Sequence, residues 1–184
     1  MDTKHAGTPT VASQHGLTLV ECAVVAAVTA IVAASAAPSL AAFTDARRLD
    51  GAATRLAADI QFVRSESLAR NRSLRLSFHA FAGGSCWVVH TGAAALCTCA
   101  EAGPAVCTGG ASAIKTVALP AAERVSVTAN VASIAFDPLH GTSTPTGTLR
   151  LTDPRGRAIH HVVNVMGRVR SCSPGAAMPA YRAC

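Results

Sequence analysis

Two guanidinium side chains stand one residue apart in Gly167-Arg168-Val169-Arg170, near the end of a chain of 184 residues. In extended backbone, residues i and i+2 point to one face, so Arg168 and Arg170 project together while Val169 turns the other way. Two guanidiniums about 6 to 7 Å apart match successive phosphates along one nucleic-acid strand. The planar guanidinium fork also suits phosphate oxygens better than an ammonium does. Charge position points the same way. From residue 141 onward the chain carries Arg150, Arg155, Arg157, Arg168, Arg170 and Arg182 against a single acid, Asp153; the preceding 140 residues hold ten basic and nine acidic side chains. A one-ended basic excess is a candidate polyanion surface. For the scattered Arg150, Arg155 and Arg157, ordinary solvated surface is an equally good reading. Aromatic residues are few, Trp87 and Tyr181 plus five Phe. Stacking of unpaired bases therefore has little support, and a polyanion met here would be held through its phosphate backbone, with little sequence preference.

A second chemically informative residue is Glu21. The 21 residues from Leu17 to Ala37 are apolar or small almost throughout, and Glu21 is the one charge among them. That run is long enough to cross a hydrocarbon core as a helix. A charge near the bilayer centre costs about 2.5 to 3.5 kcal/mol, so it usually has a purpose, although Glu21 lies near one end where the cost is lower. A boundary at the membrane interface is the plainer reading. A secretory signal peptide is another, with Ala33 to Ala37 as its cleavage site, but the apolar run is longer than such a core and the leader only weakly basic.

Cysteine supplies the third cluster. Cys22 lies inside the apolar run; Cys86, Cys97, Cys99, Cys107, Cys172 and Cys184 lie outside it. An even set beyond a membrane segment suits disulfides in an oxidising compartment. Zinc held by Cys86, Cys97, Cys99 and Cys107 is the competing reading, but Cys97-Thr98-Cys99 lacks the usual two-residue spacer. Cys172 and Cys184 form the best single pair, because they bracket a Pro/Gly-rich tail; the pairing of the other four is open. No metal and no cofactor is expected.

Enzymatic chemistry has no foothold. His160 and His161 are neighbours in a strand pattern, so their rings face opposite ways and cannot chelate one ion together. His79, His90 and His140 have no recognisable acid, nucleophile or metal spacing beside them, and no phosphate loop or nucleophile elbow is present.

The elements that must position these groups are legible from periodicity. Leu49, Ala52, Ala53, Leu56, Ile60, Val63 and Ser67 recur at helical spacing, and Asn71 is a plausible stop. One long helix over 17–71 is therefore expected, with Pro38 as a site for a kink. Alternating patterns then predict strands: 74–78, 86–91, 124–128, 132–136, 148–152 and 159–165. Gly83-Gly84, Gly109-Gly110, Asp137-Pro138, Thr146-Gly147 and Asp153-Pro154 mark turns. Residues 92–113, small and Cys-rich, read as a long loop. A long helix followed by strands implies an α+β fold, the helix packed on an antiparallel sheet or two-sheet sandwich.

Gly16, Leu17 and Glu21 together resemble the class III leader of type IV pilins and pseudopilins. By that resemblance a prepilin peptidase cuts between Gly16 and Leu17. Glu21, fifth in the mature chain, then meets the terminal amine of a neighbouring subunit in the fibre. The family usually begins its mature chain with Phe, where this one has Leu17. "RLAADIQFVRSESLARNRSLRLSF", "CWVV", "IAFDPLHGTSTPTGTLRLTD" and "VVNVMGRVR" narrow the resemblance to the FimT/GspH-type minor pilins and pseudopilins. The implied organisation is a leader at 1–16, a helix at 17–71 with a transmembrane segment at 17–37, and a β-rich domain at 72–184. The implied setting is the bacterial inner membrane with the domain in the periplasm, then a pilus or pseudopilus built with other pilins. Gly167 to Arg170 resembles the GRxR motif of DNA-binding FimT proteins of natural transformation, which makes Arg168 and Arg170 the phosphate contacts, with Arg182 assisting. The alternative is a structural pseudopilin of a type II secretion system, or a pilus-assembly subunit, without DNA affinity.

Overall fold

The structure, a computed structural model, describes residues 18–99 and 103–184. Gly16, Leu17 and the leader lie outside the described residues. The chain divides into two compact units, Met1–Leu40 and Ala41–Cys184.

Helix α1 runs Leu19–Ala69, with Pro38 inside it. Its start has a local cause: the Thr18 hydroxyl accepts from the Glu21 backbone N–H at 3.2 Å. Thr18 and Glu21 stand at the spacing of a capping box, and a carboxylate in the first turn faces the positive end of the helix. Within the first unit every described residue is exposed, and α1 is long and apolar enough to cross a membrane. The hydroxyls of Thr29, Ser35 and Ser39 donate back to the carbonyls of Val25, Val32 and Ala36 at 2.7 to 2.8 Å. None of these three needs water as a partner, as a segment placed in lipid requires.

In the second unit, α1 buries Asp45, Leu49, Ala52, Ala53, Leu56, Asp59, Ile60, Val63 and Ser67. The apolar stripe is the one the periodicity marks; the two carboxylates within it are not. The helix closes where Asn71 turns to φ +48° and the Arg72 N–H reaches the Ser67 carbonyl at 3.1 Å, a left-handed stop that Asn tolerates.

Among the described residues eleven strands follow: β1 Leu74–Phe81, β2 Gly84–His90, β3 Cys97–Thr98, β4 Val106–Cys107, β5 Ala113–Pro120, β6 Ser126–Ala129, β7 Ser133–Phe136, β8 Ser143–Thr144, β9 Gly147–Thr152, β10 Ala158–Val163 and β11 Val169–Cys172. They form an antiparallel five-stranded sheet in the order β5-β2-β1-β7-β8, a four-stranded sheet β11-β10-β9-β6, and the small pair β3-β4. Leu76, Trp87, Ile134, Leu149, Leu151, Ile159 and the buried stripe of α1 share one core. The fold is thus α+β, with the helix on antiparallel sheets.

Three strand readings need correction. Ala113–Pro120 is a strand that the pattern does not mark, and the Cys-rich excursion before it, read as a loop, contains β3 and β4. Arg124 adopts φ +57° and stays outside β6. β10 stops at Val163 because Asn164 begins a turn. The excursion has a packing role. Strand β2 sends Trp87 and Val89 to the main core, and Cys86 and Val88 to a second cluster with Cys97 and Cys99. Cys86 bonds Cys99, and Cys97 bonds Cys107. The cross-linked excursion therefore covers the face of β2 opposite the helix.

Candidate functional site

The second sheet exposes one of its faces. On β9, Leu149 and Leu151 are fully buried, and Thr148, Arg150 and Thr152 alternate outward. On β10, Ile159, His161 and Val163 face the core while His160 and Val162 face out. Strand β11 pairs with β10 so that Arg170 opposes Val162 and Cys172 opposes His160. Directly paired residues share a face, which places Arg150, His160, Val162, Arg170 and Cys172 on one surface. No strand residue of this sheet is acidic.

The Gly167-Arg168-Val169-Arg170 segment straddles the end of a hairpin turn. The Gly167 N–H donates to the Asn164 carbonyl at 2.9 Å, and Gly167 sits at φ +68°, a conformation that favours glycine. The Asn164 side chain fixes the exit by accepting from the Arg168 N–H at 3.0 Å. Arg168 and Arg170 are exposed, the first just ahead of β11 and the second within it, while Val169 packs on the core.

Arg182 joins them through the tail. Cys172 and Cys184 form a disulfide, and the Ser173 N–H donates to the Arg182 carbonyl at 2.8 Å. Met178 is buried in the core, and the Tyr181 hydroxyl donates to Asp50 at 2.7 Å. Arg170 and Arg182 then line one groove of about 510 Å3 with Val162, Ser171, Cys172, Ala183 and Cys184.

The structure also sorts the six C-terminal arginines. Arg157 binds Asp153 at 2.6 Å and the Ala42 carbonyl at 3.0 Å. Arg155 reaches Asp45 at 3.4 Å, and Arg124 forks onto the same carboxylate at 2.8 and 3.1 Å. The hydrogen bonds from Arg124 hold the Asp45 carboxyl below its ordinary range, against the opposing effect of burial and with Arg155 adding to the attraction. Among the described residues, Arg150, Arg168, Arg170 and Arg182 form no ion pair. Arg150, grouped by sequence with Arg155 and Arg157, belongs instead with the outward set. Its Nε–H donates to His160 Nε2 at 3.0 Å.

The neighbouring histidines diverge. His161 is buried, with Nε2 2.8 Å from the Ala53 carbonyl and Nδ1 2.8 Å from the Ser171 hydroxyl. Because a carbonyl only accepts, Nε2 carries the proton and Nδ1 accepts from Ser171. Burial pushes the His161 pKa down. Burial and then the Arg150 charge do the same to His160. His160, Cys172 and Cys184 place ligand-type atoms within 4.8 Å of one another, but the two sulfurs are bonded to each other and offer no thiolate to a cation. The four cysteines weighed for zinc are paired likewise.

A family model, that of the type II transport protein GspH, matches residues 52–167. No curated protein matches the chain. Two crystal forms of the type IV minor pilin FimU of Pseudomonas aeruginosa are similar in structure. One, at 17% identity and TM-score 0.51, covers 74% of this chain and 99% of FimU; the other, at 14% identity and TM-score 0.49, covers 70% and 99%. The first of these likenesses shows a common fold.

Proposed function

The chain belongs to the GspH family of minor pilins and pseudopilins, and on that premise we propose that it joins a type IV pilus and binds double-stranded DNA during uptake, through Arg168 and Arg170 with Arg182. The observation that carries this reading is the contrast among the arginines. Arg155 and Arg157 are held by carboxylates, whereas Arg168, Arg170 and Arg182 stand exposed or groove-lining beside an acid-free sheet face. Exposed guanidiniums without local acids attract phosphate and release its counterions.

In this reading the apolar part of α1 is a single-pass anchor in the inner membrane, with the β-rich domain in the periplasm before assembly. A prepilin peptidase removes residues 1–16 at Gly16–Leu17, and Glu21 then meets a neighbour's amine among the other pilins of the fibre. The Thr18 cap engages the Glu21 backbone N–H, so it is compatible with a contact of the Glu21 carboxylate between subunits.

The test uses the full chain in a non-ionic detergent with a fluorescent 20-base-pair duplex of arbitrary sequence. Binding at low salt that weakens strongly in the double variant Arg168→Ala, Arg170→Ala supports the assignment. Each lost phosphate contact should flatten the slope of log K against log salt by about 0.9. Undiminished binding in that variant refutes the site. The family match itself favours a second reading, a structural pseudopilin of a type II secretion system, which an absence of duplex binding at low salt would support.

A further inference from the structure

A second hollow lies on the same sheet, across β10 from the groove of Arg170 and Arg182. It measures about 220 Å3 and is lined by Thr128, Ala129, Asn130, Thr148 and Arg150. Thr128 on β6 is the direct cross-strand partner of Arg150 on β9, and Thr148 is two residues before Arg150 on the same face. The hollow therefore brings one guanidinium and two hydroxyls together, the donor types that hold a phosphate.

His160 sets the direction of that guanidinium. An Arg Nε–H only donates, so His160 Nε2 is the acceptor of the 3.0 Å bond and its proton sits on Nδ1. With Nε occupied, the outer edge of the guanidinium, with its Nη groups, remains for a ligand. His160 itself is backed by Cys184, whose Sγ lies 3.8 Å from Nδ1, so the ring is wedged between β9 and the disulfide-bonded tail.

The placement fits a duplex. Arg170 and Arg150 lie two strands apart and are offset by two residues along the strands. With strands about 4.8 Å apart and about 3.3 Å of rise per residue, their backbones are separated by about 12 Å. Arg168, just ahead of β11, and Arg170, within it, run along one edge of the sheet, while Arg150 stands across the sheet from them. The line from the pair to Arg150 thus crosses the direction in which the pair itself would follow a strand.

We propose that Arg150, oriented by His160 and flanked by Thr128 and Thr148, is a second phosphate subsite that takes the opposite strand of the duplex held by Arg168 and Arg170. This rests on the DNA-binding reading above and names how the duplex is held. Single-stranded DNA, having no opposite strand, gains nothing from the subsite.

The experiment compares the fluorescent 20-base-pair duplex with a single strand of equal length on the full chain in non-ionic detergent, with Arg48→Gln on α1 as a control for the loss of one charge. Arg150→Gln should weaken duplex binding several-fold more than the control and flatten its salt slope by about 0.9, leaving single-strand binding at the control's level. A double-mutant cycle with His160→Ala should show coupling, His160→Ala weakening the duplex in the parent and not in the Arg150→Gln background. Equal weakening of duplex and single strand, or no loss beyond the control, overturns the subsite. Equal effects of His160→Ala in both backgrounds overturn the orienting role. A parent that binds no duplex at all instead removes the reading on which the proposal rests.

Discussion

Gly167 leaves room for Arg64. A Cβ built at Gly167 would stand 2.9 Å from Arg64 Cδ and 3.0 Å from the Gly141 carbonyl oxygen, and that same carbonyl accepts from Arg64 Nε at 3.0 Å. The glycine before Arg168 is therefore a packing requirement as well as a turn requirement. It lets an arginine of α1 lie against the hairpin that presents the basic pair.

Replacing Gly167 by Ala should destabilise the protein by about 1 to 3 kcal/mol, since the φ of +68° strains any side chain. The contacts with Arg64 and the Gly141 carbonyl add to that cost. Thermal unfolding checks the stability, and duplex binding measured below the transition checks whether the pair is displaced. Unchanged unfolding would show that the hairpin relaxes freely around the new methyl.

The Cys172–Cys184 bridge closes a short loop, with a sequence separation of 12, and loops of that size contribute about 3 kcal/mol in the chain-entropy account. Cys172→Ser with Cys184→Ser should lower stability by that order. Because the bridge holds Arg182 in the groove it shares with Arg170, duplex affinity should fall as well, and Arg182→Ala should then add nothing in the serine background.

Asp59 is buried beneath the first sheet, accepting from Trp87 Nε1 at 2.8 Å and pairing with Lys115. Asp59→Ala leaves the fully buried indole N–H without its partner, an expected loss of about 2 to 3 kcal/mol. Denaturant titration followed by Trp87 fluorescence reads it, because Trp87 is the single tryptophan.

His90 and His161 are both pushed below their ordinary 6.5, in each case first by burial. As pH falls through about 6.5 the unfolded chain takes up protons that these folded rings refuse, so stability is full above that pH and declines below it. Thermal midpoints should drop from pH 7.5 to 5.5, and His161→Gln, though less stable throughout, should drop by less. Parallel pH profiles would mean that His161 does not carry this dependence.

Local pattern made the architecture legible. The stripe from Leu49 to Ser67 has helical spacing, and β1 and β9 alternate apolar with polar because each has one face on the core, while β2 is apolar through Cys86–Val89 because both of its faces are covered. Strand β5 escaped because it is the edge of its sheet, half-buried at best over its first four residues and ending in Pro120, so its pattern is weak. The buried carboxylates escaped for another reason: Asp45 and Asp59 are tolerated inside the stripe because of partners 28 to 110 residues away, and no local window contains them.

The same division holds for the candidate site. From the sequence alone come the apolar stem with its lone Glu21, the C-terminal basic excess and the Arg168/Arg170 spacing, because each depends only on residue type and on distance along the chain. Which arginines are spent on ion pairs and which face outward was decided by the fold. Asp45 arrives from α1 to hold Arg124 and Arg155, Asp153 folds back on Arg157, and the register of β9 against β10 sets Arg150 beside His160. Charge pairing acts over a few ångströms of space, and only tertiary structure converts a separation of 110 residues into such a distance.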